Sequence, residues 1–360
     1  MLWFIVGLLA LILGAELLVR GASRIAIAVG ISPLVVGLTV VAFGTSSPEL
    51  SVSVQSAWSG QVDIALGNVV GSNIFNVLFI LGLSAMITPL LVDEQLVRRE
   101  VPVMIGVSLL LWALAADGTI SRLDGILLAG LLIGYTVVLI RASRRETAQR
   151  SAAAATNAEA APQDAAASAG GHWALQIAFI AAGLALLVLG SNWLVEAAVG
   201  FARALGVSEL VIGLTLIAAG TSLPEVATSI TAALRGERDI AVGNVVGSNV
   251  FNILGVLGVS AMVSPAGLAV APSMPVFDLP VMVAVALACL PVFFTGRVIG
   301  RWEGALFFAY YLAYTAYLIL AAREHDALQA FGLITAGFAL PLTFITLFVL
   351  AMRQWRAAPR

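Results

Sequence analysis

The chain has 360 residues, of which 61% are hydrophobic and 11% are charged, and its net charge is −2. A soluble domain has about a quarter of its residues charged, so this composition excludes an ordinary soluble protein. The balanced charge provides no basic surface for nucleic acid, and the single cysteine, Cys289, excludes a disulfide framework. We therefore predict a protein that lies in the lipid bilayer.

Apolar runs of about 20 residues, long enough to cross a hydrocarbon core about 30 Å thick, recur along the chain. They predict an all-α polytopic membrane protein. The eleven candidate spans are 2–20, 35–57, 64–88, 101–116, 121–140, 173–200, 209–234, 240–264, 278–296, 302–321 and 328–352.

The basic residues, all of them arginine, predict the orientation. If the N-terminus lies outside, 15 of the 18 fall in cytoplasmic segments, and only Arg122, Arg203 and Arg323 lie outside. This asymmetry is what the positive-inside rule requires. It places the central linker and the C-terminus in the cytoplasm, and the arginine-only, alanine-rich composition favours a bacterial inner membrane.

Two blocks of the sequence occur twice at a constant offset of 176 residues. The first copies read GLTVVAFGTSSPEL (37–50) and DIALGNVVGSNIFNVLFILG (63–82), and the second copies read GLTLIAAGTSLPEV (213–226) and DIAVGNVVGSNVFNILGVLG (239–258). Five predicted spans, an odd number, separate the copies, so the second copy crosses the membrane in the opposite direction. Such inverted repeats are typical of secondary transporters.

The repeats divide the chain into four parts. Residues 1–140 form a first repeat of five helices, and residues 173–321 form a second, inverted one. Residues 141–172 are polar and rich in alanine, which predicts a flexible cytoplasmic linker. Residues 322–360 are predicted to add one peripheral helix and a basic tail.

Each repeat places one acid, Glu49 or Glu225, in an apolar run beside helix-breaking residues. Both acids follow a glycine and a proline, in GTSSPE (44–49) and GTSLPE (220–225). Proline frees the carbonyl four residues earlier, and irregular backbone at this depth is tolerated only in a cavity or inside protein. A central acid costs about 2.5 to 3.5 kcal/mol on insertion, so packing alone does not explain two of them.

The second block adds further oxygen atoms. Ser72 and Asn76 are four residues apart and share a helix face, as do Ser248 and Asn252. Carboxylates, hydroxyls, amide oxygens and carbonyls suit hard cations such as Ca²⁺ and Na⁺, whereas copper and zinc prefer His, Cys or Met. These ions are predicted as transported substrates, with no cofactor.

The paired GTSxPE and GNVVGSNxFN blocks resemble the α-repeats of the calcium/cation antiporter superfamily, in its prokaryotic sodium/calcium exchanger branch. The resemblance covers residues 1 to about 320 and implies ten core helices with alternating access, in which the first and sixth helices slide over a fixed core. It implies calcium ligands at Thr45, Glu49, Thr221 and Glu225, and a central polar pair at Asn76 and Asn252. The implied sodium-site residues are Ala42, Ser46, Ser72, Ala218, Ser222 and Ser248. Many exchangers carry Asp where this chain has Asn252.

Three alternatives to a Na⁺/Ca²⁺ exchanger stay open from the sequence. A proton-coupled cation antiporter would use the same carboxylates, although related proton/calcium exchangers usually have an acidic GNxxE motif where this chain has GNVVG. A channel would need a continuous pore. A membrane enzyme would need catalytic groups at an interface, and the sequence presents no such cluster. The sequence indicates no nucleic-acid partner and identifies no protein partner.

Overall fold

The computed structural model describes residues 2–157, 173–204 and 218–357, which are almost entirely helical. The helices of the first half are α1 (Leu2–Val29), α2 (Pro33–Thr45), α3 (Ser47–Trp58), α4 (Val62–Ile87), α5 (Leu96–Asp117) and α6 (Arg122–Asn157). Those of the second half are α7 (Trp173–Ala204), α8 (Ala218–Gly220), α9 (Leu223–Leu234), α10 (Arg238–Val263), α11 (Met274–Phe294), α12 (Arg301–Ala322) and α13, whose apolar part is Ala327–Val349.

The described residues contain nine helices that are long and apolar enough to cross a membrane, and α2 with α3 forms a tenth span that bends by 47°. The all-α polytopic fold is therefore confirmed. The predicted span 209–234 is represented by α8 and α9, because residues 205–217 lie outside the described residues. Most large side chains of α13 are exposed on the bundle surface, as expected for a helix that faces lipid.

The structure differs from the sequence prediction in the linker. Helix α6 continues to Asn157, so residues 141–157 of the predicted linker are helical. Alanine and arginine are strong helix formers, which explains why the helix extends beyond its apolar part. Contacts also hold the extension, because the Ser143 hydroxyl accepts a hydrogen bond from the Ser32 amide at 3.0 Å, and Arg99 pairs with Glu146 at 2.8 Å. Residues 158–172 lie outside the described residues.

Equivalent helices of the two halves, α1 and α7, pack against each other in opposite directions. A Cβ atom added at Gly7 would lie 2.8 Å from the Gly190 carbonyl oxygen, and one at Gly14 would lie 2.8 Å from that of Gly183. The residue number rises along one helix as it falls along the other, so the pair is antiparallel. Glycine is needed here because the two backbones touch.

Two short β-ribbons also connect the two halves of the protein. Strand β1 (Leu90–Leu91) pairs antiparallel with β4 (Val298–Ile299), and β2 (Thr119–Ile120) pairs antiparallel with β3 (Leu268–Ala269). Each strand of the first half thus pairs with a strand of the second half. The sequence did not predict these ribbons, because two-residue strands leave no periodic signal.

Helices α4 and α10, which carry the GNVVGSNxFN blocks, lie in the buried centre of the bundle. Both contain a π-helical turn at the same place in the repeat, Asn76–Leu81 in α4 and Asn252–Leu257 in α10. Such turns are rare and frequently occur at functional sites. Each begins at one of the two central asparagines that the sequence singles out.

Candidate cation site

At the helix breaks beside the two acids, serine hydroxyls donate hydrogen bonds to the carbonyls that proline leaves without an amide donor. Pro48 cannot donate to the Gly44 carbonyl, which instead accepts a hydrogen bond from the Ser47 hydroxyl at 2.7 Å. The Gly220 carbonyl, four residues before Pro224, accepts one from the Ser191 hydroxyl of α7 at 2.6 Å. Each of the carbonyls that proline leaves without an amide donor therefore accepts a hydrogen bond from a hydroxyl group of the protein.

Glu49 and Glu225 are completely buried, and each accepts a hydrogen bond from the other half of the protein. The Ser46 hydroxyl donates to Oε1 of Glu225 at 2.8 Å, and the Ser222 hydroxyl donates to Oε1 of Glu49 at 2.8 Å. The structure thus brings together the two acids that lie 176 positions apart in the sequence.

Four buried carboxylate and amide oxygen atoms at the centre have no hydrogen-bond partner within the described part of the chain. They are Oε2 of Glu49, Oε2 of Glu225, Oδ1 of Asn76 and Oδ1 of Asn252. A buried acceptor without a donor costs about 1 to 3 kcal/mol, and more when it is charged. A hard cation would satisfy such oxygens directly, because carboxylate and amide oxygens are its preferred ligands.

The two threonines are held in place by a second pair of asparagines. The Thr45 hydroxyl contacts Oδ1 of Asn244 at 3.1 Å, and the Thr221 hydroxyl contacts Oδ1 of Asn68 at 3.3 Å. These contacts again run between the halves. They fix the two ends at which α2 and α8 lead into the helix breaks.

The remaining sequence-predicted residues lie around this centre. Ser72 contacts the Ser222 hydroxyl at 3.2 Å, and the Ser248 side chain is buried close to Glu225. The Ala42 carbonyl accepts the Ser46 amide at 3.0 Å. Ala218 begins the short helix α8, and its side chain lies outside the described residues.

Sequence reasoning did not select the second pair of asparagines, Asn68 and Asn244, or a third pair, Asn73 and Asn249, as site residues. All four stand in the repeated block GNVVGSNxFN. Their duplication was the available signal, but an asparagine on a membrane helix also fits a packing role, and their partners lie on distant parts of the chain.

The chemistry of this centre is that of weak oxygen coordination. No group of three His, Cys, Asp or Glu side chains is placed to hold a metal ion in the parts of the chain that the structure describes. Two carboxylates with amide oxygens and hydroxyls instead suit ions that bind and leave, such as Na⁺ and Ca²⁺.

Buried acids at paired helix breaks in a polytopic helical bundle are the features of a secondary cation transporter. Residues 1–141 and 175–320 match the family model described as sodium/calcium exchanger protein, so the chain belongs to this family of exchanger-type cation antiporters. The match stops before α13 and omits the alanine-rich segment.

Individual relatives agree with the family. The sodium/calcium exchanger MaX1 of Methanosarcina acetivorans is 34% identical over 87% of this chain and 97% of its own length. The inner membrane protein YrbG of Escherichia coli is 41% identical over 72% of this chain and 79% of its own length. The solved structure of the sodium-calcium exchanger NCX_Mj, soaked with Na⁺ and Ca²⁺, is similar with a TM-score of 0.72 and 32% identity, over 87% of this chain and 96% of that one.

Proposed function

We propose that the protein exchanges Na⁺ for Ca²⁺ by alternating access around a site formed by Glu49 and Glu225. The observation that carries this proposal is the set of four buried oxygens without a donor, two of which belong to the carboxylates. Thr45, Thr221, Ser46 and Ser222 complete the site. Asn76 and Asn252 contribute neutral oxygens, so the site has a charge of about −2 when both acids are ionised.

This charge explains how two ion fluxes become coupled. One Ca²⁺ or at least two Na⁺ neutralise the two carboxylates, so the ions compete for the same oxygens. A site without ions would carry two unpaired charges in a medium of low dielectric constant, which costs several kcal/mol per charge. The protein therefore changes between its outward-open and inward-open states only when the site is filled.

The names of the relatives support this choice of ions. MaX1 is called a sodium/calcium exchanger, and NCX_Mj was soaked with Na⁺ and Ca²⁺. We transfer both ions to this chain because the oxygen set suits them. The runner-up is a proton-coupled antiporter, in which the carboxylates bind protons instead of Na⁺.

A flux measurement separates the two coupling ions. Proteoliposomes loaded with Na⁺ and diluted into Na⁺-free buffer should accumulate radiolabelled Ca²⁺, because outward Na⁺ movement drives Ca²⁺ inward. Vesicles with equal Na⁺ on both sides are the control. Equal uptake driven by a pH gradient in the absence of Na⁺ would reject Na⁺ coupling and establish the runner-up.

The membrane arrangement belongs to the same proposal. We place the protein in a bacterial inner membrane, with the N-terminus outside and the residues after α6 and after α13 in the cytoplasm. The arginine distribution and the name of the relative YrbG support this placement. Two inverted repeats of five helices surround the site, and α1 and α7 slide across it as an antiparallel pair.

Helix α13 is proposed to be peripheral to transport. It is attached to the bundle by Tyr310, whose hydroxyl donates to the Ala339 carbonyl at 3.0 Å, and by the buried side chain of Leu347. A chain that ends at residue 324 should therefore keep most of its Na⁺-driven Ca²⁺ uptake. Loss of uptake in a truncated protein that still inserts and purifies as a folded monodisperse species would assign α13 a role in the transport cycle.

A further inference from the structure

A network of amide hydrogen bonds joins the central asparagines of the two halves. The Asn252 side-chain amide donates from Nδ2 to Oδ1 of Asn73 at 3.1 Å, and the Asn76 amide donates from Nδ2 to Oδ1 of Asn249 at 3.0 Å. All four side chains are buried. Asn73 and Asn249 are not among the proposed cation ligands.

The donor and acceptor ends of Asn73 and Asn249 are oriented by groups that lie outside the proposed cation site. Nδ2 of Asn73 donates to the main-chain carbonyl of Asn249 at 3.2 Å and lies 3.7 Å from Sδ of Met282. Nδ2 of Asn249 faces Sδ of Met104 at 3.5 Å. Carbonyl and thioether groups can only accept hydrogen bonds, so the main-chain carbonyl orients the NH₂ group of Asn73, and the weaker acceptor Met104 faces the NH₂ group of Asn249. Their oxygens are consequently turned toward Asn252 and Asn76.

An accepting oxygen requires a donor opposite it. Asn252 and Asn76 therefore direct their NH₂ groups toward Asn73 and Asn249 and leave their own Oδ1 atoms without a hydrogen-bond partner among the described residues. If the amide of Asn252 or Asn76 rotated by 180°, its oxygen would face the oxygen of Asn73 or Asn249, and its NH₂ group would take the place of the oxygen that can bind a cation. An NH₂ group is a donor and cannot bind a cation.

We infer that Asn73 and Asn249 are positioning residues that hold the amides of Asn252 and Asn76 with their oxygens toward the transported cation. This inference rests on the proposed function, since it assigns the role of those oxygens. Each half orients a ligand of the other half: Asn73 of the first half orients Asn252, and Asn249 of the second half orients Asn76. Partners of this kind typically change metal affinity by about 10- to 100-fold when removed.

The crossed pairing predicts which substitutions interact. Asn73→Leu has nearly the same shape but no acceptor, and it should raise the Ca²⁺ KM for uptake by about 10-fold or more while changing the maximal rate less. Asn252→Leu should raise the KM similarly. The double variant should resemble Asn252→Leu alone, because Asn73 acts only through Asn252. Asn73→Leu combined with Asn76→Leu is the matched control, in which the two effects should multiply.

The outcomes separate this inference from the proposed function. Multiplying effects of Asn73→Leu and Asn252→Leu, in variants that still transport, would overturn the positioning role and leave the function standing. Unchanged transport after Glu49→Gln would overturn the proposed site itself. If Asn73→Leu does not yield folded protein, Asn73→Ala replaces it in the same cycle, with the same expected lack of further effect beside Asn252→Leu.

Discussion

Glu49→Gln and Glu225→Gln should each abolish Na⁺-driven Ca²⁺ uptake while leaving the protein folded. Glutamine keeps an oxygen that can accept the hydrogen bond from Ser222 or Ser46, so the local structure is preserved. The substitution removes one of two buried charges, however. Losing one partner of a buried charge pair costs about 2 to 5 kcal/mol, which corresponds to a weakening of Ca²⁺ binding by at least ~30-fold.

Glu196→Gln is the matched control for these variants. Glu196 lies on α7 and has an exposed side chain. Its substitution by glutamine makes the same chemical change at a position outside the site. Its uptake should equal that of the unmodified protein. Thermal unfolding in detergent with and without CaCl₂ provides a second measurement, because a ligand that binds only the folded state raises the unfolding temperature. Full uptake in Glu49→Gln or Glu225→Gln would show that the ions bind elsewhere.

Gly247→Ala should destabilise the protein strongly. A Cβ atom at Gly247 in α10 would lie 2.6 Å from both the Cα atom and the carbonyl oxygen of Leu38 in α2. Backbone atoms cannot rotate away, so α2 and α10 would have to separate. Overpacking of a buried contact costs up to about 3 kcal/mol, and the separation would also displace Thr45 from Asn244.

The control for this variant is Gly130→Ala in α6, where an added Cβ meets no atom within 4 Å among the described residues. It should be neutral or slightly stabilising, because alanine favours helix more than glycine. Unfolding temperature and Ca²⁺ uptake should both fall for Gly247→Ala and stay unchanged for Gly130→Ala. Similar behaviour of the two variants would mean that α2 and α10 do not pack this closely in the working protein.

Much of the site could be predicted from the sequence because its residues are duplicated. The spacing of the copies indicates that Glu49 and Glu225 are equivalent, and the hydropathy predicts a polytopic bundle around them. The sequence also predicts that the spans are helices, because a single apolar run that crosses a bilayer must satisfy its backbone hydrogen bonds within itself. The extension of α6 into the alanine-rich segment was harder to predict, because the composition of that segment fits both a linker and a helix.

Other parts of the site depend on contacts between distant residues. Nothing beside Gly220 in the sequence shows that Ser191 of α7 will occupy its carbonyl. The equivalent carbonyl, that of Gly44, accepts a hydrogen bond from the nearby Ser47, so the donor is local in one half and distant in the other. The orientation of an amide likewise depends on its acceptor, and Met104 and Met282 stand outside the repeated blocks.

The antiparallel packing of α1 against α7 has a consequence for the origin of the architecture. Gly7 and Gly14 meet Gly190 and Gly183, which are the counterparts of Gly14 and Gly7 at the offset of 176. Each half thus carries both complementary surfaces of the contact, as in an isologous dimer. Two copies of one half-length ancestor, inserted in opposite directions, could make the same contact, so a dual-topology homodimer is a sufficient precursor and fusion of two genes would add only the connection between them.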